Sequence, residues 1–298
     1  MTLLTTAPFS PNVIDDVREI LSYDFMQNAF VAGTCIALAA GLVGYFVVLR
    51  NEVFTSDALG HVAFTGGLGA LLANIQLLLG VFGSTIAVAL GMGTLGGRAR
   101  GRDVAIGTVF AWVLGVGVLF LSLYTTARSA SGSGTAGISI LFGSILGLQS
   151  PQTAISAIAG IATSLVLLAI ARPLMFASID PDVAAARGVP IRLVTVIFLV
   201  LVGATVAEAV QAVGALLIFG LMVTPAAIAQ RVTSRPYVAL LLSGALAVLF
   251  VWLGLTLAFY VSYPASFFIT ALAFGTYLAS QLATRFGGLL QHPIPGGR

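Results

Sequence analysis

Long apolar runs separated by short polar interruptions dominate the chain, and this pattern predicts a bundle of membrane-spanning helices. A helical span needs about 20 apolar residues, whereas the strands of a membrane barrel are about 10 residues long and alternate in polarity. The runs therefore predict an all-α polytopic membrane protein with about nine transmembrane helices, and a count of eight to ten also fits. The expected spans are 25–49, 54–73, 77–95, 104–124, 154–171, 193–210, 212–228, 238–261 and 266–282.

The segments outside these spans divide the chain into three regions. Residues 1–24 form a leader, in which the apolar side chains at 12–21 predict an interfacial helix, with a solvated leader as the alternative. Residues 25–285 form the transmembrane domain, and residues 286–298 form a short tail rich in Gly and Pro. Inside the domain, the apolar segment 138–148 is too short to cross a bilayer, so we expect a re-entrant or interfacial helix there.

The composition indicates a chain whose main surroundings are lipid. Of its 298 residues, 59% are hydrophobic and 8% are charged, whereas soluble domains carry about 25% charged residues. All 13 basic residues are Arg, so the chain lacks the lysine of a phosphate-binding P-loop, and any ATP hydrolysis would reside on another chain. The net charge of +3 follows from Arg in the loops and does not indicate a nucleic-acid partner. We find no sequence signature of an enzyme.

The positions of Arg orient the predicted spans, because cytoplasmic loops of membrane proteins are enriched in basic residues. Arginines follow every second span, at Arg50, 98–102, 172–192, 231–235 and Arg285. If these ends are cytoplasmic, nine spans place the N-terminus outside the membrane and the C-terminus inside.

Asp57 and His61 form an ionisable pair near the start of the second predicted span. Residues four apart on a helix project from one face, one turn apart. Ionisable side chains are costly in a bilayer and usually serve a function, and a carboxylate with an imidazole supplies two ligands for a divalent transition metal. Two ligands hold an ion weakly, as transport requires, and a symmetric dimer would double them to four. The alternative is a structural pair that joins helices.

Glu208 is the other acid that lies well inside an apolar run, close to the outer end of the sixth predicted span. A carboxylate at this depth is a candidate for an additional metal ligand or for a gate. The alternative is a helix end at which the carboxylate reaches water.

A polar segment between the fifth and sixth spans predicts a short helix with a defined start and end. Asp180 is a suitable N-cap, Pro181 suits the first helical position, and Asp182 lies in the first turn. Gly188 follows Arg187 and ends the helix. A simple connector needs none of these signals, whereas a helix that docks on a cytoplasmic partner benefits from rigidity. We therefore favour a docking helix over a connector.

Five stretches, in order along the chain, resemble the integral membrane subunit of the zinc/manganese/iron ABC importer family. The first is 25–69, which carries the Asp-Ala-Leu-Gly-His segment. The others are DVAIGTVF at 103–110, LFGSILGL at 141–148, IDPDVAAARGVPIRL at 179–193 and QAVGALLIFGLMVTPAAIA at 211–229. Each stretch alone is a weak signal, and their shared order makes the resemblance specific.

The resemblance implies a permease of the bacterial plasma membrane that works as a homodimer. Its implied partners are two copies of a cytoplasmic ABC ATPase and an extracytoplasmic metal-binding protein. By matching motif, Asp57 and His61 fall on the family's metal-coordinating positions. The implied docking helix contains Asp180, Pro181, Asp182, Arg187 and Gly188. No permanent cofactor is implied, only a transported divalent metal, which is manganese, zinc or iron.

The chain departs from the family pattern at several positions. Gly60 stands where Ser is common, Thr65-Gly66 where Pro is common, and Glu208 where family members are usually apolar. The start of the last span has Ala265-Ser266-Phe267 in place of the usual Pro and Gly pattern. These differences leave open which residues besides Asp57 and His61 contact the metal.

Two other kinds of transporter are alternatives. A siderophore- or cobalamin-type ABC permease needs a wide path without protein ligands, so the Asp57/His61 pair speaks against it. A proton-coupled secondary transporter would use Asp57, His61 and Glu208 as a relay, and it would need no docking helix. The residues do not decide which metal is carried, because zinc binds such donors more tightly than manganese whatever the physiological cargo.

Overall fold

The computed structural model describes residues 18–94, 99–128, 140–215, 218–261 and 263–290, and the regular elements of this part of the chain are all helical. Most of the predicted leader and the end of the predicted tail lie outside these residues. The helices of the described residues are α1 (Asp24–Leu49), α2 (Val53–Leu72), α3 (Leu77–Thr94), α4 (Ala99–Arg128), α5 (Ser150–Ile179), α6 (Pro181–Ala186), α7 (Ile191–Ala212), α8 (Ile218–Val232), α9 (Pro236–Tyr260) and α10 (Ala265–Leu290).

The predicted all-α membrane architecture is confirmed. Each of the nine expected spans overlaps mainly with one helix, and the short polar helix is α6. Within the described residues, six helices are long and apolar enough to cross a membrane. Two shorter apolar helices are Leu77–Gly93 in α3 and Ile218–Val232, which is α8. The helix α2 has 20 residues but is not among the six, because it carries Asp57, His61 and several Gly. The helix α10 continues to Leu290, five residues beyond the predicted end of the domain.

The predicted start of the seventh span at residue 212 is wrong. The helix α7 runs on to Ala212, and α8 begins only at Ile218. Gly214 adopts a positive φ of 93°, a conformation that favours glycine and ends the helix. The composition of this junction is apolar, so hydropathy alone does not mark the turn.

The predicted short helix at 138–148 is not one continuous helix. Residues 140–142 are helical, the chain bends at Gly143 with φ 75°, and a 3₁₀ turn follows at Ile145–Gly147. Ile145 is buried, and the turn packs against α1 and α7 inside the bundle. The segment is therefore anchored to the bundle through Ile145, while Phe142 is 48% exposed.

The chain crosses itself where the segment 140–147 meets the α7–α8 junction. A Cβ on Gly143 would clash with the backbone of Ala212 to Gly214, and a Cβ on Gly214 would clash with the backbone of Leu141 to Gly143. The amide of Ala215 donates a hydrogen bond to the carbonyl of Ile140 at 3.1 Å. Two glycines thus allow a close backbone crossing that any side chain at these positions would prevent.

The helices α1 and α7 form the centre of the bundle. The most apolar windows of these helices are 72% and 67% buried, compared with 17% for α4. The helix α1 packs against α5, α7, α8 and α9, while α2 packs against α3, α4 and α7. Because lipid is as apolar as the side chains, such helices associate through close contact of small residues. Gly44 of α1 lies against the main chain of Met222 on α8, and Gly160 of α5 lies against the main chain of Cys35 on α1.

Side-chain contacts agree with the predicted grouping of helix ends. Arg50 at the end of α1 contacts Ser178 near the end of α5 and Thr195 near the start of α7, so these ends share one side of the bundle. At the opposite side, the hydroxyl of Ser266 at the start of α10 donates to the carbonyl of Phe142 at 2.9 Å. The assignment of the Arg50 side to the cytoplasm remains a prediction from the distribution of Arg.

We expect Gly44→Ala to destabilise the bundle, because the new methyl group has no room against Met222. Overpacking of this kind typically costs about 1–3 kcal/mol. The measurement is the unfolding temperature of the purified protein in detergent. Gly83→Ala on α3 is the matched control: a methyl group there would meet no neighbouring atom within 4 Å, and Ala is favoured over Gly in helices by about 1 kcal/mol. Equal effects of both substitutions would contradict the close α1–α8 approach.

Candidate metal site

The candidate site lies in the first half of α2, the half that adjoins Arg50. Asp57 and His61 are both partly buried, and they lie one turn apart on the least buried face of this helix. The opposite face is buried and carries Leu59, Ala63 and Leu68. Gly60 allows α2 to approach the α7–α8 junction, since a Cβ there would lie 3.3 Å from the carbonyl oxygen of Ala215. The sequence prediction that the pair shares one face is therefore confirmed.

The helix α4 covers part of the face that carries Asp57 and His61. The rings of His61 and Phe110 meet edge to face with centroids 5.0 Å apart, and Phe54 lies 5.7 Å from the same Phe110 ring. The hydroxyl of Thr65, one turn beyond His61, donates to the carbonyl of Val113 at 3.1 Å. These contacts restrain the imidazole of His61 by packing and leave its nitrogens available.

The two side chains have no polar partner in the described part of the chain. No hydrogen bond or salt bridge joins Asp57 to His61, or joins either of them to another described residue. The described residues also contain no group of three or more His, Cys, Asp or Glu side chains that could hold a metal ion. Among the described residues, this face therefore offers two candidate ligands, a carboxylate and an imidazole.

Glu208 lies apart from this pair, in the interface of α7 with α1 and α5. Its side chain is only 1% exposed, so the alternative of a carboxylate that reaches water does not hold. Cys35 of α1 and Thr163 of α5 lie beside it, yet neither carboxylate oxygen has a hydrogen-bond partner with good geometry. A buried carboxylate without a cation is costly when ionised. In this conformation Glu208 is a buried group without a ligand, and it does not contribute to the Asp57/His61 face.

A cavity opens at the other side of the bundle from Arg50. Its volume is about 230 Å³. It lies between the segment 140–147 and the ends of α3, α5 and α7. The lining residues are Leu77, Val81, Ile140, Ser144, Gly147, Leu148, Gln152 and Val210. Val210 is two residues from Glu208 on α7, so the buried carboxyl lies close in sequence to the wall of this cavity.

The structure shows a cluster of contacts around Arg50 that the sequence did not predict. In the sequence, Arg50 marked only the end of the first span. Its guanidinium donates to Glu52 at 3.3 Å and to the hydroxyl of Thr195 at 3.1 Å, with a longer contact to the hydroxyl of Ser178 at 3.5 Å. It also lies over the ring of Phe198, 5.3 Å from the ring centroid. A basic residue followed two positions later by a glutamate was the only sequence signal for this cluster.

The helix α6 has the start and end that the sequence predicted. The Oδ1 atom of Asp180 accepts a hydrogen bond from the amide of Val183 at 3.0 Å, and Pro181 is the first helical residue. Gly188 adopts φ 83°, and its amide bonds to the carbonyl of Ala185 at 2.9 Å. Together with the bond from Val189 to Ala184, at 3.0 Å, this is a Schellman C-cap. The helix runs over Pro181–Ala186, with Arg187 at the C-cap.

The outward face of α6 is exposed. Ala184 is fully buried and anchors the helix, whereas Asp182 and Arg187 are exposed and Val183 is 44% exposed. The neighbouring Ile179 is 64% exposed. A rigid helix with exposed apolar and charged side chains at a helix-bundle end is suited to bind a protein partner.

Residues 22–284 match the sequence model of the ABC 3 transport family. The chain belongs to this family. It is 30% identical to the manganese import system permease protein ScaB of Streptococcus parasanguinis, over 83% of this chain and 86% of the relative. It is 26% identical to the manganese transport system membrane protein MntC of Halalkalibacterium halodurans, over 78% of this chain and 77% of the relative.

Among solved structures, the fold is similar to a chain in the structure of PsaBC from Streptococcus pneumoniae in complex with Fab. The TM-score is 0.78 at 25% sequence identity, covering 90% of this chain and 95% of that chain. The family resemblance inferred from the five sequence stretches is thus confirmed. The protein is an ABC transporter permease with several membrane-spanning helices, located in the bacterial plasma membrane.

Glu52 is buried beside Arg50, whereas Glu208 is buried without a cation among the described residues. Comparing substitutions of the two glutamates tests this difference. We expect Glu52→Gln to destabilise the protein by about 2 kcal/mol, because it removes a partly buried charge partner of Arg50. We expect Glu208→Gln to be neutral or stabilising, because Glu208 has no cation partner to lose among the described residues and Gln keeps an acceptor for the neighbouring hydroxyl of Thr163. Thermal unfolding of both variants in the same detergent measures the difference. A larger loss for Glu208→Gln than for Glu52→Gln would contradict the assignments.

Proposed function

We propose that this protein is the permease subunit of an ATP-driven importer for a divalent transition metal. The observation that carries the proposal is the face of α2, on which Asp57 and His61 lie one turn apart without a polar partner among the described residues. Membership of the ABC 3 transport family and relatives named as manganese permeases support the same function.

Manganese is the cargo we propose to test first, with zinc and iron as the alternatives. The relatives described above are named for manganese transport. A carboxylate and a neutral imidazole suit Mn²⁺, but they also suit Zn²⁺ and Fe²⁺, and zinc generally binds a given site more tightly than manganese. Selectivity therefore depends on coordination number, geometry and delivery, besides the two ligands.

We propose a homodimer as the functional form of the permease. The described residues of one chain supply two candidate ligands, and a two-fold axis beside the Asp57/His61 face would supply four. The helix α4, next to this face, leaves most of its surface uncovered within one chain, and its Trp112 is 70% exposed. A second copy of the chain bound at this place would add ligands to the Asp57/His61 site and would cover the exposed surface of α4.

Two further partners follow from the two ends of the bundle. We propose that α6 docks on a cytoplasmic ABC ATPase, present in two copies with the homodimer. Its capped ends and exposed Val183 and Arg187 support this role. We propose that an extracytoplasmic metal-binding protein delivers the ion at the opposite end, where the 230 Å³ cavity lies. Opening and closing of the two ends in turn would then move the ion past Asp57 and His61.

Glu208 is proposed as part of an outer gate. It is buried near the end of α7, the same end at which Val210 lines the cavity. Its burial without a cation among the described residues is a destabilising feature that separation of α7 from α1 and α5 would relieve, because water would then reach the carboxyl. In this proposal Glu208 favours separation of the three helices. It does not bind the metal at Asp57 and His61.

We expect Asp57→Ala and His61→Ala each to abolish metal uptake while the complex still assembles, because each substitution removes one of the two ligands per chain. Uptake of ⁵⁴Mn²⁺ into proteoliposomes that contain the complete complex measures the effect. Thr65→Val is the matched control, since Thr65 shares the same helix face but its hydroxyl is bonded to Val113. Uptake at the wild-type rate in both alanine variants would rule out the site.

We expect Asp180→Ala to weaken association with the ATPase about fivefold, because loss of an N-cap typically costs about 1 kcal/mol and loosens the docking helix. Asp180→Asn is the matched control, since Asn caps helices as well as Asp does. The measurement is the affinity of the purified permease for its ATPase. Equal affinity in the Ala and Asn variants would argue against docking through this helix.

A further inference from the structure

One guanidinium connects the proposed docking helix to the helix that carries the proposed metal ligands. Arg50 lies directly after α1, where the chain turns into α2. Its Nη1 contacts Ser178 on α5, and its Nη2 donates to Thr195 on α7. Its Nε donates to Glu52, the residue that precedes α2. Three structural elements therefore meet at one side chain.

The first two contacts lie on either side of α6. Ser178 is two residues before Asp180, the N-cap of α6, and Thr195 is in the first turns of α7, the helix that follows. The chain between these two hydroxyls contains the whole docking helix, and α6 packs against both α5 and α7. A force applied to α6 by a partner consequently reaches the two residues that hold the guanidinium of Arg50.

The third contact leads to the metal-site helix. Glu52 is the N-cap residue of α2, and Asp57 follows five residues later on the same helix. The side chain of Glu52 is 6% exposed and that of Arg50 is 12% exposed, so their ion pair is shielded from water and from salt. A change in the position of Arg50 therefore acts on the start of α2, one to two turns from Asp57 and His61.

Only arginine suits this position chemically. Its planar guanidinium offers several donors in fixed directions and packs on an aromatic face, as it does here over Phe198. A lysine ammonium keeps the charge, but its three donors share one nitrogen and rotate on a flexible chain, so they do not hold three partners in fixed directions.

We propose that Arg50 is a positioning residue that transmits displacement of the docking helix α6 to the metal-site face of α2. This inference rests on the proposed function, because it requires an ATPase on α6 and a metal at Asp57 and His61. Arg50 does not contact the ion in this proposal. It links ATP-driven movement of the α5–α6–α7 segment to the orientation of α2, so that hydrolysis and release of the ion occur together.

The test uses the complete complex in proteoliposomes and measures the number of Mn²⁺ ions transported per ATP hydrolysed. The variant is the double substitution Ser178→Ala with Thr195→Val, which removes both links to the docking segment and leaves the Arg50–Glu52 pair. We expect the ratio to fall at least about fivefold, the lower end of typical coupling between two sites. We expect ATPase association and basal ATP hydrolysis to remain, which a general loss of structure would not allow.

Two control variants separate coupling from packing. The single substitution Thr195→Ser, with Ser178 unchanged, keeps both hydroxyls. It should keep the wild-type ratio. Thr205→Val removes another buried hydroxyl of α7, one that bonds only within its own helix to Leu201, and it should leave the ratio unchanged. Arg50→Lys provides a second test that does not alter the docking segment, and it should lower the ratio like the double variant.

The outcomes distinguish this inference from the proposed function. If the wild-type complex shows no Mn²⁺ uptake driven by ATP, the proposed function is wrong. If the wild type couples uptake to hydrolysis and both the double variant and Arg50→Lys keep its ratio, the role of Arg50 is overturned. A lower ratio in those two variants, with the Thr195→Ser and Thr205→Val variants at the wild-type ratio, supports it.

Discussion

The structure depends on one constraint of the bilayer, the absence of water to satisfy polar groups. Helices meet the constraint for the backbone, and two pairs of ionisable side chains meet it in different ways. Arg50 and Glu52 neutralise each other at one end of the bundle. Asp57 and His61 lie on the least buried face of α2, where a metal ion or a partner can reach them. Glu208 is buried without either solution, which makes it the exception.

Small residues determine how the helices approach each other, since hydrophobic burial does not favour helix contact over lipid contact. The approaches at Gly44 and Gly160 bring α8 and α5 onto α1, and this places α1 at the centre. The crossing of Gly143 and Gly214 fixes the segment 140–147 against the α7–α8 junction. Gly60 then lets α2 pack beside Ala215, so the candidate metal helix is positioned by the same junction.

The candidate site and the helix α6 occupy neighbouring regions of the Arg50 side, although they are far apart in sequence. Ser178 and Thr195 are 128 and 145 residues from Arg50, yet one side chain contacts both. This proximity places the segment around α6 close to the start of α2.

The sequence by itself determined that the chain is a bundle of apolar helices, the Asp57/His61 face and the limits of α6, because these follow from local rules of hydropathy, helix periodicity and capping. Such rules act over a few neighbouring residues, and each of these elements carries its own signal. Only the tertiary structure decided that the chain turns at Gly214, that Glu208 is buried, and that Arg50 joins Glu52 to α5 and α7. These features arise from contacts between segments distant in the chain, and no local pattern of residues encodes which segments meet.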